Sequence, residues 1–395
     1  MKSMGEAGVV LYDCEHKTPP DEGEGYPYLA IPNIQGGRID LSEVRRISGA
    51  RIDEWNRRVV PTESDIVFTR RGRVGDSAPI PKDLKCSIGQ NLVILRSEGG
   101  EVDQKYLRWA LRGPAFAAEI QRMLNVGAVF DSLNCADIPK MRIPVPPLPE
   151  QRAIAEVLGA LDDKIESNQR IVQKVIELST ALFDVWRSTV SDWTTTTFGD
   201  FGAVFGGATP KTGNPNYWHG PHCWLTPTDA THLDSIYLFS SARTITDAGL
   251  ASASTELHPP GTILMTSRAT IGAFAVNQVP CAPNQGFIAV RPVHEDQRWF
   301  LFHEMSRRVP EMLDRANGTT FPEISRGSFK SMELLVPVNN SAYRSLDAAV
   351  SPLHMRAAQA VSETSLLAAT RDTLLPSLLS GRLRPPGAAE LLEVS

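Results

Sequence analysis

The stretch from Pro146 to Trp186 constrains the fold more than any other part of the sequence. Apolar side chains recur there at alternating spacings of four and three residues, which is the heptad pattern of a helix with one narrow apolar seam. The predicted seam consists of Ile154, Leu158, Leu161, Ile165, Asn168, Val172, Val175 and Leu182. A helix of about 38 residues would be a rod of about 57 Å. A rod with so narrow a seam needs a partner helix.

This first long helix is predicted to begin near Pro149 or Glu150, because the prolines before it cannot continue a helix backwards. The acidic Glu150 is favourable at the positive end of the helix. Asn168 is a polar member of the seam and has two interpretations. It fixes the register of the helix pair, which we favour, or it is tolerated near a solvated end.

A second seam near the C-terminus follows the first at a constant offset of 192 residues, from Ile154 to Leu346. Its predicted members are Leu346, Val350, Leu353, Leu367 and Leu374. Pro352 falls within this helix and predicts either a kink or a first helical turn with Ser351 as its cap. Pro376 and Gly381 are predicted to mark the end of the helix or a short terminal turn.

The segments before the two helices also repeat. The sequence "DIVFTRRGRVG" from Asp65 resembles "TILMTSRATIG" from Thr262, "CSIGQN" resembles "CAPNQG", and "GAVF" at Gly127 matches "GTTF" at Gly318. The predicted organisation is a globular block at 1–148, a helix at 149–192, a second block at 193–338, and a second helix with a tail at 339–395. Each block mixes short strands with helices, so the predicted fold class is α+β, with two mixed α/β domains separated by two long helices.

Composition is consistent with an ordinary cytosolic protein. The chain has 395 residues, a net charge of −5 and five cysteines, with no CxxC pair. It has no apolar run of 18 residues, and its N-terminus lacks the pattern of a secretory signal. We therefore expect reduced thiols, a cytoplasmic protein and no membrane partner.

The first block is locally basic although the whole chain is acidic. The basic cluster consists of Arg70, Arg71, Arg73, Lys82 and Lys85. Such a cluster contacts nucleic-acid phosphates in some proteins and is only a solvated face in others. Charge alone leaves both interpretations open.

The motif "PPLPEQRAIAEVLGALDDKIE", the two blocks that each lead into a long helix, and the tail "LLPSLLSGRL" resemble the specificity (S) subunit of type I restriction-modification systems. The resemblance extends over essentially the whole chain. It implies two target-recognition domains, two antiparallel coiled-coil spacer helices, and no catalysis by this chain. It also implies that the protein places two methyltransferase (M) subunits and two restriction (R) subunits on a bipartite DNA target. The S-adenosylmethionine, ATP and magnesium are then expected on those partners, with no cofactor on this chain.

The sequence departs from the family pattern at two places. The second block opens with "FGDFGAVFGGATP" from Phe198, whereas the first has only "LYDCEHKTPP" in that position. This predicts a different subtype of the first domain or a start that lies too late. The second helix lacks "PLPEQ" and keeps "VPVNNSAYR", so its packing is less defined.

Recognition of bases requires paired donors and acceptors, which Arg, Lys, Gln and Asn side chains supply. The residues predicted to lie near DNA are Arg70, Arg71, Arg73, Lys82, Lys85, Gln90, Lys211, Arg268 and Gln285. The alternative is structural: Gln90 and Gln285 pair with backbone groups of a shared turn, and the arginines form surface ion pairs. The long helices are expected to set the spacing between two half-sites. Apolar residues outside the seam, Ile171, Ile176, Leu178 and Phe183, are predicted to dock the M subunits.

Two other functions are open to argument. "NPNYW" at Asn214 and "FGDFG" resemble methyltransferase elements, but they lie too close together for the strands and helices of such a site. A stand-alone adenine DNA methyltransferase is the alternative function, and a purely structural coiled-coil scaffold is a third. His219, His222 and Cys223 lack a fourth metal ligand, so no metal site is predicted.

Overall fold

The computed structural model describes residues 1–127, 129–318 and 322–385. The chain forms two compact units: the first is Met1–Asp163 with Leu367–Ser395, and the second is Lys164–Leu366. The division passes through both long helices, so each unit contains one part of the helix pair. Within the described ranges, no helix combines the length and apolar character needed to span a bilayer.

The first unit contains a four-stranded antiparallel sheet and a three-stranded mixed sheet. The strand order is β2-β10-β7-β8 in the larger sheet and β6-β3-β9 in the smaller, and β1 pairs with β11 and β4 with β5. The strands are β1 Lys2–Ser3, β2 Val9–Asp13, β3 Tyr26–Leu29, β4 Ile34–Gln35, β5 Arg38–Ile39, β6 Arg45–Ile47, β7 Ile66–Thr69, β8 Ser77–Pro79, β9 Ser87–Ile88, β10 Leu92–Ser97 and β11 Arg142–Ile143. The helices are α1 Ile52–Trp55, α2 Gln104–Ala110, α3 Pro114–Met123 and the first part of α4 Leu148–Thr189.

The second unit contains a five-stranded sheet, ordered β13-β20-β17-β18-β15, and a three-stranded sheet, ordered β16-β14-β19. The strands are β12 Trp193–Thr197, β13 Gly202–Gly206, β14 Trp218–Leu225, β15 Tyr237–Leu238, β16 Arg243–Ile245, β17 Ile263–Thr266, β18 Phe274–Asn277, β19 Cys281–Pro283, β20 Phe287–Pro292 and β21 Glu333–Pro337. The helices are α5 Phe198–Phe201, α6 Pro227–Thr231, α7 Asp247–Ser252, α8 Arg298–Arg307, α9 Val309–Asp314, α10 Arg326–Lys330 and α11 Ser341–Leu379, of which the last part belongs to the first unit.

The two units repeat one strand plan, which confirms the predicted mixed fold class. The order β2-β10-β7-β8 recurs as β13-β20-β17-β18, and the mixed sheet β6-β3-β9 recurs as β16-β14-β19. In both units a strand at the start of the block pairs with the strand before the long helix, β1 with β11 and β12 with β21. This pairing strand has two residues in the first block and five in the second.

The two long helices are paired within each unit. In the second unit the Asn168 side chain donates to Glu363 at 2.9 Å, and the Trp186 indole donates to the carbonyl of Ala342 at 3.0 Å. The later residue of α4 thus contacts the earlier residue of α11, so the two helices run antiparallel, as predicted. In the first unit Asp162 of α4 pairs with Arg371 of α11.

Most of the predicted seam is buried. The buried members are Ile154, Leu158, Ile165, Asn168, Val172, Val175, Leu346 and Val350, and the half-buried members are Leu161, Leu182, Leu353, Leu367 and Leu374. Ile154 and Leu158 belong to the same core as Leu375 and Leu378 in the first unit. In the second unit Val172 and Val175 share a core with the small residue Ala360. Small side chains of α11 and larger ones of α4 therefore share this core.

Pro352 neither starts α11 nor interrupts it. The helix begins at Ser341 and continues through Pro352 and Pro376 to Leu379. Proline removes the hydrogen bond to the carbonyl four residues earlier, here that of Ala348. Ala348 and Pro352 are both exposed, so water can reach this carbonyl. The helix ends where Gly381, with φ of +71°, donates to the carbonyl of Leu378 at 3.1 Å.

The glutamine of "PLPEQ" fastens α4 to the first block. The buried Gln151 amide accepts from the backbone N–H of Asp103 at 2.8 Å and donates to the carbonyls of Glu101 at 2.8 Å and Pro146 at 2.7 Å. At the same offset in α11 stands Tyr343, whose ring packs against Phe300 with centroids 5.2 Å apart. The second helix thus replaces a hydrogen-bonded attachment with an aromatic one, which explains why the motif is absent there.

The predicted docking face of α4 is mostly covered by the second unit itself. Phe183 is fully buried, and its ring stacks on His303 of α8 with centroids 4.8 Å apart. Ile171 and Ile176 are partly buried against the same core, and only Leu178 is largely exposed, at 48%. The prediction of four exposed docking residues was therefore wrong for Phe183, because an amphipathic pattern does not say which element covers the surplus face.

Candidate nucleic-acid interface

A threonine at the end of β7 organises the basic turn of the first unit. The buried Thr69 hydroxyl contacts the carbonyls of Arg73 and Asp76, the latter at 3.1 Å. Gly75, with φ of +100°, donates to the Thr69 carbonyl at 3.0 Å. This φ favours glycine, which explains its position in the motif. The turn therefore holds Arg71 at an exposed position beyond the strand.

The second unit builds the same turn from a different sequence. The Thr266 hydroxyl contacts the carbonyls of Thr270 and Ala273, and Gly272, with φ of +90°, donates to the Thr266 carbonyl at 3.1 Å. The segment that crosses this turn is held by an equivalent backbone hydrogen bond in each unit. The backbone of Leu133 donates to Arg70 at 2.8 Å, and that of Ile324 donates to Ser267 at 3.0 Å.

The predicted basic residues of the first unit have different surroundings. Arg70 donates to the carbonyl of Gln90 at 3.2 Å, so these two predicted residues are adjacent. Arg73 donates to the carbonyls of Ile31 at 2.5 Å and Ile34 at 2.8 Å, which gives it a structural role. The side chains of Arg71 and Gln90 are exposed.

Lys82 and Lys85 have different contacts. Lys82 lines a cavity together with Arg108 and Arg152. The Lys85 ammonium lies 4.7 Å from the centroid of the Tyr26 ring, a cation–π contact. Both lysines are exposed.

A cavity of about 490 Å³ opens beside Gln90 in the first unit. It is lined by Thr18, Asp21, Tyr28, Ala30, Ile31, Pro32, Asn33, Ser42, Glu43, Val44, Arg45, Gly89, Gln90, Asn91 and Leu92. The Tyr28 hydroxyl donates to the carbonyl of Lys17 at 2.7 Å, and burial raises the pKa of this tyrosine. The lining includes hydroxyl, amide and guanidinium groups, which are the kinds of group that recognise base edges.

In the second unit, Arg268 and Gln285 are the sequence neighbours of Ser267 and Gly286, whose backbones are hydrogen bonded to each other. The backbone of Ser267 donates to the carbonyl of Gly286 at 2.8 Å. Arg268 forms an ion pair with Glu323 at 2.8 Å, as in the structural alternative. Gln285 is exposed and accepts a hydrogen bond from the Thr209 hydroxyl. Lys211, two residues after Thr209, is exposed.

Sequence reasoning missed Thr209 and two exposed apolar residues. Thr209 lies 76 residues from Gln285, and only its position in the "GGATP" turn marks it as special. Val129 and Phe130 are 79% and 62% exposed. They precede Asp131, whose carbonyl accepts from Gly72 of the basic turn at 3.0 Å. Exposed large apolar side chains beside charged ones often mark an interface. Ala128 and 319–321 of the paired "GAVF" and "GTTF" segments lie outside the described residues.

The methyltransferase-like and metal-like motifs have structural roles. Asn214 caps a short helical turn, since its side chain accepts from the backbone of Asn216 at 3.1 Å. His222 pairs with Asp247 at 2.7 Å, and the Cys223 thiol lies 2.8 Å from that of Cys281. "FGDFG" forms α5 and the start of β13 rather than a glycine-rich loop between a strand and a long helix.

The family model for the type I restriction modification DNA specificity domain matches residues 15–177 and 190–341. The MjaIX specificity subunit of Methanocaldococcus jannaschii is 37% identical over 150 residues, which is 37% of this chain and 34% of that protein. The EcoR124I/EcoR124II specificity subunit of Escherichia coli is 25% identical over 214 residues, which is 51% of this chain and 52% of that protein. The matched segments thus span between a third and about half of these relatives.

The fold has a counterpart among solved structures. The crystal structure of a type I restriction-modification S subunit from M. genitalium aligns with a TM-score of 0.61 and 17% identity, covering 96% of this chain and 95% of that chain. The likeness concerns the fold, and the family assignment comes from the sequence match. Since the family model matches both blocks, the chain belongs to the type I restriction modification DNA specificity domain family.

Proposed function

We propose that this protein is the DNA sequence-recognition subunit of a type I restriction-modification complex. Each of its two blocks reads one part of a bipartite DNA target. The long helices carry the methyltransferase and restriction subunits. The chain itself performs no catalysis, and S-adenosylmethionine, ATP and magnesium bind to the partner subunits.

The observation that carries this proposal is the repeated turn in the two blocks. Thr69 and Thr266 make equivalent hydrogen bonds, although the residues around them differ. A conserved framework with variable exposed side chains suits two domains that read different sequences. The family match over both blocks supports the same conclusion.

The contacts expected at DNA are of two kinds. Exposed Arg71 and Lys85 suit phosphates, which position a protein without reading sequence. Exposed Gln90 and Gln285 suit base edges, because their amides offer a donor and an acceptor together. The net charge of −5 agrees with a protein in which only local surfaces contact DNA.

Methylome sequencing of cells with and without the gene tests the proposal. We expect one two-part methylated motif to disappear when the gene is removed and to return with it. Isothermal titration of the purified chain with S-adenosylmethionine tests the alternative methyltransferase function. Binding by the chain alone, or an unchanged methylome, would contradict the proposal.

A further inference from the structure

The end of strand β2 presents a carboxylate, a thiol and an imidazole to one point in the first unit. The potential ligand atoms of Asp13, Cys14 and His16 all lie within 4.8 Å of one another. Cys14 is buried, Asp13 is half-buried and His16 is exposed. The group is thus anchored in the protein on one side and open to solvent on the other.

The separations within this group are close to those around a tetrahedral metal ion. His16 Nε2 lies 2.9 Å from Asp13 Oδ2, and Cys14 Sγ lies 3.8 Å from Asp13 Oδ1. With metal–ligand distances of about 2.0–2.3 Å, neighbouring tetrahedral ligands are about 3.3–3.8 Å apart. The Asp13–Cys14 separation lies at the upper end of this range and the Asp13–His16 separation lies below it, so small side-chain rotations would complete the geometry.

One sulfur, one imidazole and one carboxylate are a donor set that zinc and similar divalent cations accept. Three protein ligands with the fourth position left to water is the arrangement of open zinc sites. The exposed His16 leaves that side of the group accessible to solvent.

The surrounding charges permit a divalent cation. Arg58 lies 3.9 Å from Asp13 and 3.8 Å from Glu15, and its charge opposes a cation. Burial raises the pKa of the Cys14 thiol to about 12, while the charge of Arg70 acts in the opposite direction. When the thiol ionises, the three ligands carry two negative charges, and Glu15 adds a third. Metal binding requires this deprotonation, so affinity should rise with pH.

We propose that Asp13, Cys14 and His16 form a binding site for a zinc-type divalent cation. The site would fix the start of the loop that follows β2. Thr18 and Asp21 of this loop line the cavity beside Gln90. The cation would therefore order one wall of that cavity. The site itself stands independently of the proposed DNA-recognition function.

The test is a titration of the full chain, purified under reducing conditions and stripped of metal, with Co²⁺ as an optical probe. We expect one equivalent to bind with thiolate-to-cobalt charge-transfer absorption, and Zn²⁺ to displace it. Cys14→Ser should abolish this absorption. His16→Gln alters an exposed side chain, so it should fold normally and weaken Co²⁺ affinity at least tenfold. Cys86→Ser, a buried cysteine of the same unit, and Cys223→Ser, in the second unit, should retain the wild-type titration.

Amide hydrogen exchange gives a second measurement that does not depend on the cobalt absorption. Zn²⁺ should slow exchange in residues 14–25 of the wild-type chain and leave it unchanged in His16→Gln. The proposal is overturned if the wild-type chain gives no thiolate absorption. It is equally overturned if the absorption survives in both Cys14→Ser and His16→Gln, or if it is lost in Cys223→Ser.

Discussion

The carboxylate of Asp162 in α4 lies 2.5 Å from the guanidinium of Arg371 in α11, inside the first unit. The Asp162 side chain is only 4% exposed, and Arg108 of α2 hydrogen bonds to its other oxygen. Arg112 lies 3.9 Å away. A buried carboxylate is stable only when it is paired, so this residue joins both long helices to the body of the first block.

Replacing Asp162 with Asn should destabilise the first unit. The change leaves half-buried Arg108 without its nearest counter-charge and half-buried Arg371 with Asp372 alone. Removing one partner of a buried pair costs about 3–5 kcal/mol. Urea denaturation followed by hydrogen exchange in α2 measures the free energy of unfolding. The exposed neighbour Asp163→Asn is the matched control and should change it by less than about 0.5 kcal/mol. Equal effects of the two variants would contradict the assignment.

Asn168→Leu should stabilise the pairing of α4 and α11 in the second unit. Asn168 is buried and donates to Glu363, but its Oδ1 atom has no hydrogen-bond partner. A polar residue in a seam specifies register at a cost in stability, so we expect a gain of about 1 kcal/mol together with looser register. Thermal unfolding measures the gain, and engineered cysteine pairs across the helices measure the register. Ser179→Ala is the control, because that hydroxyl bonds to its own helix at Ile176. A large loss of stability in Asn168→Leu would contradict this view.

The second unit should lose stability in mild acid. Burial lowers the pKa of His303 to about 4 and that of His354 to about 3. His354 Nδ1 lies 2.7 Å from the Tyr237 hydroxyl, and its ring stacks on Trp299. In the unfolded chain the histidine pKa is about 6.5, so below pH ~6.5 the unfolded chain binds more protons than the folded chain. Stability is therefore full above this pH and falls as the pH decreases, by up to about 1.4 kcal/mol per pH unit for each histidine.

Thermal unfolding of the second unit at several pH values checks this expectation. His303→Phe keeps an aromatic ring against Phe183 and removes one titrating group, so the pH dependence should become shallower. His232→Gln changes an exposed histidine and should leave the slope unchanged. An unaltered slope in His303→Phe would show that this histidine does not carry the acid sensitivity.

Thr69→Val should disturb the basic turn while preserving side-chain shape. The turn loses the hydroxyl that contacts the carbonyls of Arg73 and Asp76, with an expected cost of about 1–3 kcal/mol for unpaired buried groups. DNA binding by the complex should weaken because Arg71 is no longer held. Thr180→Val, on the exposed face of α4, is the control. Normal DNA affinity in Thr69→Val would mean that the turn does not position a DNA contact.

Local periodicity predicted the helices and their seam well. Heptad spacing is a property of neighbouring residues, so Ile154, Leu158 and Val350 were identified as seam residues from the sequence, and all three are buried. The same reasoning left open a helix start at Pro352, which was wrong, because α11 already begins at Ser341. It also failed for Phe183, whose burial depends on α8, more than 100 residues later in the chain.

The candidate interface was predictable only in part. The repeated threonine, arginine and glycine revealed the turns, since each type has a defined backbone role. Sequence could not show that Arg73 bonds to Ile31 and Ile34, or that Thr209 meets Gln285, because these contacts join distant segments. Asp162 is also inconspicuous in the sequence, as one acidic residue among several on α4.

The account depends most on the claim that each block reads its own part of a two-part target. Exchanging residues 193–338 for the corresponding block of another family member, followed by methylome sequencing in cells that supply the M subunits, tests this directly. We predict that one part of the methylated motif changes while the other part is retained. A motif that stays the same, or one in which both parts change, would contradict the claim.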